Sequence, residues 1–449
     1  MRTRTKAPAS RWPTPAELVV ARLGRCPHPS PIPAAENLFV DDTNRILLGS
    51  DLRAVQPFLE AGRVPPSFEP AGARARVFFE PAKLSCGIVT CGGLCPGLNN
   101  VIRAIVLQLT YVYRVRHILG FRYGYAGLAA KSRFEPTLLT PDLVGNLHRL
   151  GGTFLGSSRG PQDLGEMAET LVRRKVGILF VIGGDGGLRG ASALAGEIRR
   201  RKLPIAVIGV PKTIDNDLEW TARTFGFATA VEAAAPAISA AHAEAQAAWN
   251  GIGLVKLMGR ESGFIAAGAT LASADVNFCL VPEVPFTLSG KGGFLEVLER
   301  RMEQKHHAVI VVAEGAGQDL FPDDDARERD ASGNVRLKDI GIFLRDEIAR
   351  HFAERGTTVN VRYIDPSYTI RSQPANSLDA QLCLAFGQHA AHAGMAGRTD
   401  VLVGIWNQHF THVPIPLAIR ERKRIDPAGE VWERVLETTR QPASMLGRH

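Results

Sequence analysis

The sequence predicts an α/β fold in which parallel β-sheets are covered by helices on both faces. From about residue 84 onward, short apolar runs alternate with amphipathic stretches, which is the pattern of strands alternating with helices. Most of the runs are rich in Val and Ile, as expected of strands buried on both faces of a sheet. The chain has 449 residues, enough for two or three domains.

The apolar runs that predict strands end in Gly, Pro or polar residues. They cover residues 84–90, 178–182, 205–210, 253–257, 308–313 and 401–405. The predicted helices cover residues 164–175, 188–202, 228–248 and 341–354. Residues 319–334 are polar and rich in Asp, which predicts a surface loop. Because ligands of such sheets bind beyond the carboxyl ends of the strands, we expect the chemistry where a strand meets its loop.

Composition narrows the class of function. The chain carries 53 basic and 45 acidic residues, a net charge of +8, which suits an enzyme with anionic substrates. Aromatic residues make up only 7% and no basic stretch is interleaved with them, so we expect no nucleic-acid partner. The apolar stretches are too short for a membrane span, so we expect no membrane partner either.

The cysteines and the N-terminal segment indicate a cytoplasmic protein. Six cysteines in a chain of this length are too few for a disulfide scaffold. Cys91 and Cys95 lack a second pair at zinc spacing, so we interpret them as small residues in a tight loop. The first 35 residues contain no apolar segment of the kind found in signal peptides, and their basic, Pro-rich composition predicts a flexible arm.

The first strand–loop junction follows residue 90 and is rich in glycine. Gly92, Gly93 and Gly97 precede a helix predicted over residues 101–109. Glycines let the backbone turn tightly and approach a ligand, and the free N–H groups at a helix start favour an anion. A tight turn without a ligand explains the same pattern equally well.

The second junction has a carboxylate among glycines, in the run from Gly183 to Gly187 around Asp185. A carboxylate oxygen is a plausible ligand for Mg²⁺, which keeps several of its waters. Alternatively, Asp185 only caps the helix that follows. The Gly-Gly-Asp-Gly run resembles one that occurs in lipid and NAD kinases, and this resemblance implies a nucleotide phosphate more than any particular substrate.

The third and fourth junctions add cations, a hydroxyl and further carboxylates. Lys212, Thr213, Asp215 and Asp217 follow a strand end, where Asp215 could act as the base and Lys212 as the cation of a phosphoryl transfer. A polar turn is the alternative interpretation. Arg260 follows the next strand and is suited to a phosphate, because its planar guanidinium bonds two oxygens.

These four segments, in this order, resemble the phosphofructokinase family. The similarity extends over residues 37–419. The stretches 92–99, 250–260 and 363–371 resemble the plant-like ATP-dependent branch in particular. The resemblance implies transfer of a phosphoryl group from ATP to the 1-hydroxyl of fructose 6-phosphate. It also implies Mg²⁺ as cofactor and a homodimer or homotetramer.

The resemblance further implies two α/β domains with the active site in the cleft between them. On this basis we expect an N-terminal extension over residues 1–80 and an ATP-binding domain over residues 81–226 and about 372–425. A fructose 6-phosphate-binding domain over residues 227–371 and a C-terminal tail over residues 426–449 complete the chain.

The site residues are carried over position by position. Asp215 would be the base, with Lys212 and Thr213 as its catalytic neighbours, and Asp185 would bind the metal. The residues expected to hold ATP are Gly93, Arg159, Gly160, Gly184, Asp185 and Gly186. Those expected to bind the sugar phosphate are Thr213, Ile214, Asp215, Met258, Gly259, Arg260, Glu283, Tyr368, Thr369, Ile370 and Arg371. Arg362 would reach a neighbouring subunit.

The phosphoryl donor is the main alternative that the sequence leaves open. Pyrophosphate-dependent members usually carry Asp where this chain has Gly186, and a carboxylate there would crowd and repel the α-phosphate of ATP. Lys212 is shared with the pyrophosphate enzymes and also with the plant-like branch. Gly187 stands where Ser or Thr is usual. A non-catalytic regulator that binds sugar phosphates is the third possibility, since fold alone does not give function.

Overall fold

Two sheets of mainly parallel strands organise the chain. The computed structural model describes residues 12–33, 39–129, 132–321 and 335–448. A nine-stranded sheet forms the centre of what we call the large lobe, and a four-stranded sheet forms the centre of the small lobe. The predicted α/β class is confirmed.

The strands are numbered in chain order within the described ranges. They are β1 (Ala21–Arg22), β2 (His28–Pro29), β3 (Ile46–Leu47), β4 (Ser67–Pro70), β5 (Arg76–Val77), β6 (Ser85–Thr90), β7 (His117–Gly120), β8 (Thr137–Leu138), β9 (Val176–Gly183), β10 (Ala206–Pro211), β11 (Gly251–Leu257), β12 (Phe278–Leu280), β13 (His307–Ala313), β14 (Asn360–Ile364), β15 (Arg398–Thr399), β16 (Val401–Trp406) and β17 (His409–Pro414). All six strands that the sequence predicts are present, with ends that differ by at most two residues.

The α-helices of the described ranges are numbered in the same way. They are α1 (Leu52–Glu60), α2 (Leu98–Leu107), α3 (Pro141–Val144), α4 (Leu164–Arg173), α5 (Asp185–Arg200), α6 (Phe227–Ala247), α7 (Phe264–Ser273), α8 (Phe294–Lys305), α9 (Ile340–Glu354), α10 (Ser367–Arg371), α11 (Ser377–Met395), α12 (Ile415–Ala418) and α13 (Glu430–Thr439). Within the described ranges, no helix is both long and apolar enough to span a bilayer.

Alternating side chains of the central strands build two layers on the large sheet. The sheet order is β3-β4-β17-β16-β10-β9-β6-β7-β8, and its five central strands from β16 to β7 run parallel. Successive residues of a strand point to opposite faces. Accordingly, Ile178 and Phe180 of β9 pack with residues of α2 and α11, whereas Leu179 and Val181 pack with residues of α4 and α5. Helices therefore cover both faces.

The small sheet is wholly parallel, in the order β12-β13-β11-β14. All four strands lie between residues 251 and 364. The strands of the large sheet lie between residues 46 and 211 and between residues 401 and 414. The chain thus passes into the small lobe through α6 and returns to the large lobe through α11.

Both ends of the described chain pack more closely than the sequence suggests. Residues 12–33 belong to the expected flexible arm, yet Ala21 pairs with Thr399 across β1 and β15, and Leu18 and Val20 are buried. This short apolar group anchors the segment, since burial of such side chains is favourable. At the other end, α13 of the expected tail packs on α7 and β12 of the small lobe.

Some expectations fall on residues outside the described ranges. Residues 1–11 of the expected arm are among them, and so are residues 322–334 of the expected surface loop. Strands β3 and β4 lie within the expected N-terminal extension but are members of the large sheet, where β4 pairs with β17.

Candidate active site

Three of the predicted junctions meet at one edge of the large sheet. Strands β6, β9 and β10 are parallel neighbours, with Thr90 opposite Ile182 and Gly183 opposite Pro211. The loops after these strands must therefore emerge side by side.

The first glycine loop is held in place from two sides. The buried Lys212 donates from Nζ to the Gly93 carbonyl oxygen at 2.9 Å, and Ser157 donates from Oγ to the Gly92 carbonyl oxygen at 2.6 Å. Burial lowers the pKa of Lys212 below its ordinary value. Gly97 has a φ of 100° and precedes α2, and a Cβ there would lie 2.5 Å from Cys383 Sγ. The loop thus requires glycine at position 97.

The glycines of the second loop differ in what they contact. A Cβ at Gly184 would lie 2.9 Å from the Lys212 carbonyl oxygen, and one at Gly187 would lie 2.9 Å from the Cβ of Cys91. A Cβ at Gly186 would meet no atom within 4 Å among the described residues. Packing therefore accounts for glycine at 184 and 187, whereas position 186 faces open space.

Asp185 is the first residue of α5 and not its cap. The N-cap is Gly184, which makes no side-chain capping hydrogen bond. The Asp185 carboxylate instead pairs with Arg189 at 3.0 Å and with Arg422 at 3.5 Å. A carboxylate in the first turn also complements the positive end of the helix. The interpretation of Asp185 as a helix cap is therefore wrong.

Asp215 carries a buried, unpaired carboxylate oxygen. Its Oδ1 has no hydrogen-bond partner among the described residues, which is uncommon for a buried polar atom and points to a ligand-binding or catalytic role. Burial and the nearby carboxylates of Asp217 and Glu314 together raise the pKa of Asp215 to about 8, although the charges of Arg422 and Lys212 act in the opposite direction. Thr213 fixes the loop: its Oγ1 accepts from the Asp215 N–H at 3.1 Å and donates to Asp217 Oδ1 at 3.0 Å.

Arg422 joins two of these carboxylates and is not among the residues predicted from the sequence. Its guanidinium donates to Asp217 Oδ2 and lies 3.5 Å from Asp185 Oδ2. Arg422 lies in the run 420–424, where four of the five residues are basic. Such a run is typical of a solvated surface, so no sequence signal distinguishes this arginine from its neighbours.

Replacing Arg422 by alanine should lower the free energy of unfolding by about 2 kcal/mol, because it removes a charged hydrogen bond from the buried Asp217. Urea denaturation measures the free energy of unfolding of the variant and of the wild type. Arg424→Ala is the matched control: Arg424 pairs with Glu261 at 2.8 Å while both side chains are largely exposed, so its loss should cost less than about 1 kcal/mol. Equal losses in the two variants would contradict this account of Arg422.

One arginine of the small lobe approaches the first glycine loop. Arg371 Nη1 lies 3.7 Å from the position that a Cβ on Gly93 would occupy, and Arg371 Nε is buried without a hydrogen-bond partner among the described residues. The guanidinium stacks on Tyr368, 4.7 Å from the ring centroid. Ser262 of the fourth junction donates from Oγ to the Asp215 carbonyl oxygen at 3.3 Å. The two lobes thus meet around Asp215.

Glu314 is a second residue that the sequence-based prediction misses. It follows β13, and its N–H donates to the Leu257 carbonyl oxygen at 2.9 Å. Burial raises the pKa of Glu314, whereas the charges of Arg260, Lys256 and Arg371 lower it. A signal was present in the sequence, because Glu314 follows one of the predicted strands as the other site residues do.

Glu283, expected to bind the sugar phosphate, makes contacts with the backbone. Both carboxylate oxygens accept from the Gly263 N–H at 3.0 Å, and Oε1 also accepts from the Ile425 N–H at 2.9 Å. These bonds link the start of α7 to the C-terminal segment. Glu283 therefore has a clear structural role, and Glu314 is the better candidate for a carboxylate in the cleft.

The remaining residues that the sequence predicts for the site differ in their burial and backbone conformation. Ile214 and Ile370 are buried, so only their backbone groups can reach a ligand. Met258 packs against a core cluster that contains residues of both lobes. Gly259 (φ 134°) and Gly160 (φ 96°) have positive φ, and Thr369 lies in α10. Arg159 is exposed next to Gly160, and Arg362 lies on β14, more than half exposed, 3.6 Å from Glu244.

Comparison with known proteins identifies the family. A family model described as "Phosphofructokinase" matches residues 85–394. The chain belongs to the phosphofructokinase family. This confirms the resemblance that the four junctions indicate.

The similarity of this phosphofructokinase to its relatives extends over most of the chain. It is 50% identical over 446 residues to the ATP-dependent 6-phosphofructokinase of Amycolatopsis methanolica, covering 95% of each chain. It is 48% identical to the ATP-dependent 6-phosphofructokinase of Borreliella burgdorferi, covering 84% of this chain and 86% of that one. It is 47% identical to ATP-dependent 6-phosphofructokinase 7 of Arabidopsis thaliana, covering 85% and 78%.

Solved structures confirm the fold of the family. The pyrophosphate-dependent phosphofructokinase of Marinobacter aquaeolei has a TM-score of 0.65 at 19% identity, covering 81% of this chain and 95% of that one. The phosphofructokinase of Pichia pastoris has a TM-score of 0.62 at 20% identity, covering 80% and 37%. At these identities the likeness concerns the fold and not the phosphoryl donor.

Proposed function

We propose that the protein is an ATP-dependent 6-phosphofructokinase, which converts fructose 6-phosphate to fructose 1,6-bisphosphate. The observation that carries this proposal is the buried, unpaired Asp215 carboxylate oxygen, on the loop that follows β10 and beside the glycine loops that follow β6 and β9. Arg371 of the small lobe approaches the first of these glycine loops. Phosphoryl transfer needs a base, backbone groups that bind the phosphates, and cationic side chains that hold the substrate. The names of the relatives at 47–50% identity support ATP as the donor.

In the proposed reaction, Asp215 accepts the proton of the sugar 1-hydroxyl while that oxygen forms a bond to the γ-phosphorus of ATP. The bond from the γ-phosphorus to the bridging oxygen breaks, and ADP leaves with the electron pair. Arg260 and Arg371 would hold the 6-phosphate, because guanidinium groups bond phosphate oxygens in pairs. The backbone of Gly93, Gly184 and Gly186, together with Arg159 and Gly160, would hold the phosphates of ATP.

Asp185 is the proposed protein ligand of Mg²⁺. Within the described ranges, no group of three or more His, Cys, Asp or Glu side chains is placed to hold a metal. A single carboxylate at a helix start nevertheless fits Mg²⁺, which typically keeps its waters and binds substrate phosphates. When bound, the ion neutralises negative charge on the transferring phosphates. Arg189 and Arg422 pair with the Asp185 carboxylate and orient it at the start of α5.

The location of Arg362 supports the proposal of a homodimer or homotetramer. Its side chain is more than half exposed at the edge strand of the small sheet, where it can reach a neighbouring subunit. We also propose a cytoplasmic location, consistent with six cysteines that are all free.

The pH dependence of kcat/KM should report the ionisation of Asp215. Because the base acts in its ionised form and its pKa is raised to about 8 in the free protein, kcat/KM should rise tenfold per pH unit below about pH 7.5. The measurement is a coupled assay with fructose 6-phosphate and ATP both well below their KM, so that it reports the free protein. It is made at constant ionic strength and at pH values above the second phosphate ionisation at about 6. A flat profile in that range would contradict the assignment.

The donor is tested by assaying fructose 6-phosphate with ATP and, separately, with pyrophosphate, each with Mg²⁺. We expect kcat/KM to favour ATP by at least about 10²-fold, on the steric argument at Gly186. A preference for pyrophosphate would instead establish the pyrophosphate-dependent enzyme. Absence of turnover with both donors, combined with calorimetric binding of fructose 6-phosphate, would establish a non-catalytic regulator.

A further inference from the structure

A buried lysine in the small lobe has no part in the reaction described above. Lys256 lies in β11, next to the last residue of the strand, and is only 9% exposed. A buried charge is costly unless ionised partners compensate it. The groups around Lys256 therefore indicate why a lysine is present.

Two aspartates compensate this lysine, and they come from different segments. Lys256 Nζ lies 2.6 Å from Asp339 Oδ2 and 2.9 Å from Asp365 Oδ2. Strands β11 and β14 are parallel, with Val255 opposite Ile364, so the residues that follow these two, Lys256 and Asp365, lie next to each other. Tyr363 donates from its hydroxyl to Asp339 Oδ1 at 3.2 Å. We call Lys256, Asp339, Asp365 and Tyr363 the lysine cluster.

Each aspartate also anchors the start of a helix. Asp365 Oδ1 accepts from the N–H of Ser367 at 3.0 Å and from its hydroxyl, at the start of α10. Asp339 caps α9 and accepts from the N–H groups of Gly341 and Ile342 at 3.0 and 3.1 Å. The ammonium group of Lys256 thus determines where both helix starts lie relative to β11.

The three segments that meet at Lys256 all lead to proposed phosphate ligands. β11 continues directly to Arg260. Asp365 precedes α10, which carries Tyr368 and Arg371. The segment before Asp339 contains Val335, whose carbonyl oxygen accepts from Arg260 Nη1. The separation of Arg260 and Arg371 therefore depends on the geometry of the lysine cluster.

We propose that Lys256 is a positioning residue for the sugar phosphate, which holds α10 against the end of β11 through Asp365 so that Arg371 and Arg260 converge on one phosphate group. This inference rests on the proposed function. The unpartnered Arg371 Nε supports it, because an arginine held without a full set of partners is preorganised for an incoming anion. Without Lys256, the carboxylates of Asp339 and Asp365 would repel each other, and α10 would lose its attachment to β11.

The test measures fructose 6-phosphate binding by calorimetry and steady-state kinetics on the full chain. Lys256→Met keeps most of the length of the side chain and removes its charge, and Asp365→Asn removes the ion pair that attaches the start of α10 to Lys256. Each should raise the Kd and KM for fructose 6-phosphate about tenfold, with the KM for ATP changed less than about twofold, since only the phosphate ligands are displaced. Lys256→Arg keeps the charge and should restore most of the affinity.

Asp339→Asn serves as the matched control for loss of stability. It removes the ion pair between Asp339 and Lys256, keeps an oxygen that can cap α9, and leaves the pair between Lys256 and Asp365 intact. It should lower Tm with a smaller change in sugar-phosphate affinity. If Lys256→Met does not fold, Asp365→Asn and Lys256→Arg still decide the question.

Two results would overturn the inference. One is an unchanged affinity for fructose 6-phosphate in folded Lys256→Met or Asp365→Asn protein, and the other is an equal rise in the KM of both substrates. A wild-type protein that binds no fructose 6-phosphate would overturn the proposed function instead, so the two failures are distinguishable.

Discussion

Asparagine in place of Asp215 should lower kcat about 10³-fold, because the amide cannot accept the proton of the sugar hydroxyl. The amide has the shape of the carboxyl group, so the binding of fructose 6-phosphate should change far less than kcat. Steady-state kinetics with ATP, together with calorimetric binding of fructose 6-phosphate, measures both effects. A variant that keeps more than about a tenth of wild-type kcat would contradict the role of Asp215 as base.

The same substitution should not destabilise the fold, which distinguishes it from a structural defect. The folded-state pKa of Asp215 is raised to about 8 from an ordinary 3.8, so between these values the folded protein binds more protons than the unfolded chain. Stability that comes from this group is therefore lost as the pH rises through the window. At about pH 8.5, Asp215→Asn should be as stable as wild type or more stable, as thermal denaturation at that pH and at pH 6 would show.

An aspartate in place of Gly186 should lower kcat/KM for ATP by about 10²-fold or more. A carboxylate at this position would lie in the space proposed for the α-phosphate and repel it, whereas pyrophosphate has no group there. Because a Cβ at Gly186 meets no atom within 4 Å among the described residues, the fold should be unaffected. Assays with ATP and pyrophosphate measure the change in donor preference.

The variant Gly186→Ala distinguishes the effect of a negative charge at position 186 from the effect of added side-chain volume. A methyl group in open space neither clashes with the protein nor repels phosphate, so Gly186→Ala should keep kcat/KM for ATP within about threefold of wild type. Full ATP activity in Gly186→Asp would contradict the placement of the α-phosphate. Equal losses in the two variants would show that position 186 tolerates no side chain at all.

The sequence predicts the fold well where local pattern and burial agree. β9 and β10 are apolar and almost entirely buried, so they show directly in the sequence as the continuous apolar runs 178–182 and 205–210. Helix α5 begins at Asp185, three residues before its predicted start, because the glycines that mark the loop also form its first turn. The N-terminal segment is less predictable: residues that contact a distant strand such as β15 carry little local signal.

In the candidate site, too, residues that follow a strand are predictable from the sequence, and residues that depend on distant contacts are not. Asp185, Lys212 and Asp215 directly follow strands of one sheet, so topology alone brings them to one edge. Arg422 reaches Asp185 and Asp217 from more than 200 residues away in sequence, and no local pattern indicates this contact. Glu283 and Glu314 both follow strands of the small lobe, and only the hydrogen bonds of Glu283 to backbone N–H groups distinguish the two.

The most direct test of the account is a structure of the protein with fructose 6-phosphate, Mg²⁺ and a non-hydrolysable ATP analogue. The account predicts an Asp215 carboxylate oxygen within about 3 Å of the sugar 1-hydroxyl, with the γ-phosphate on the opposite side of that hydroxyl and Asp185 beside the ion. A sugar bound with its 1-hydroxyl outside hydrogen-bond reach of Asp215, or a nucleotide away from Gly184 and Gly186, would contradict it.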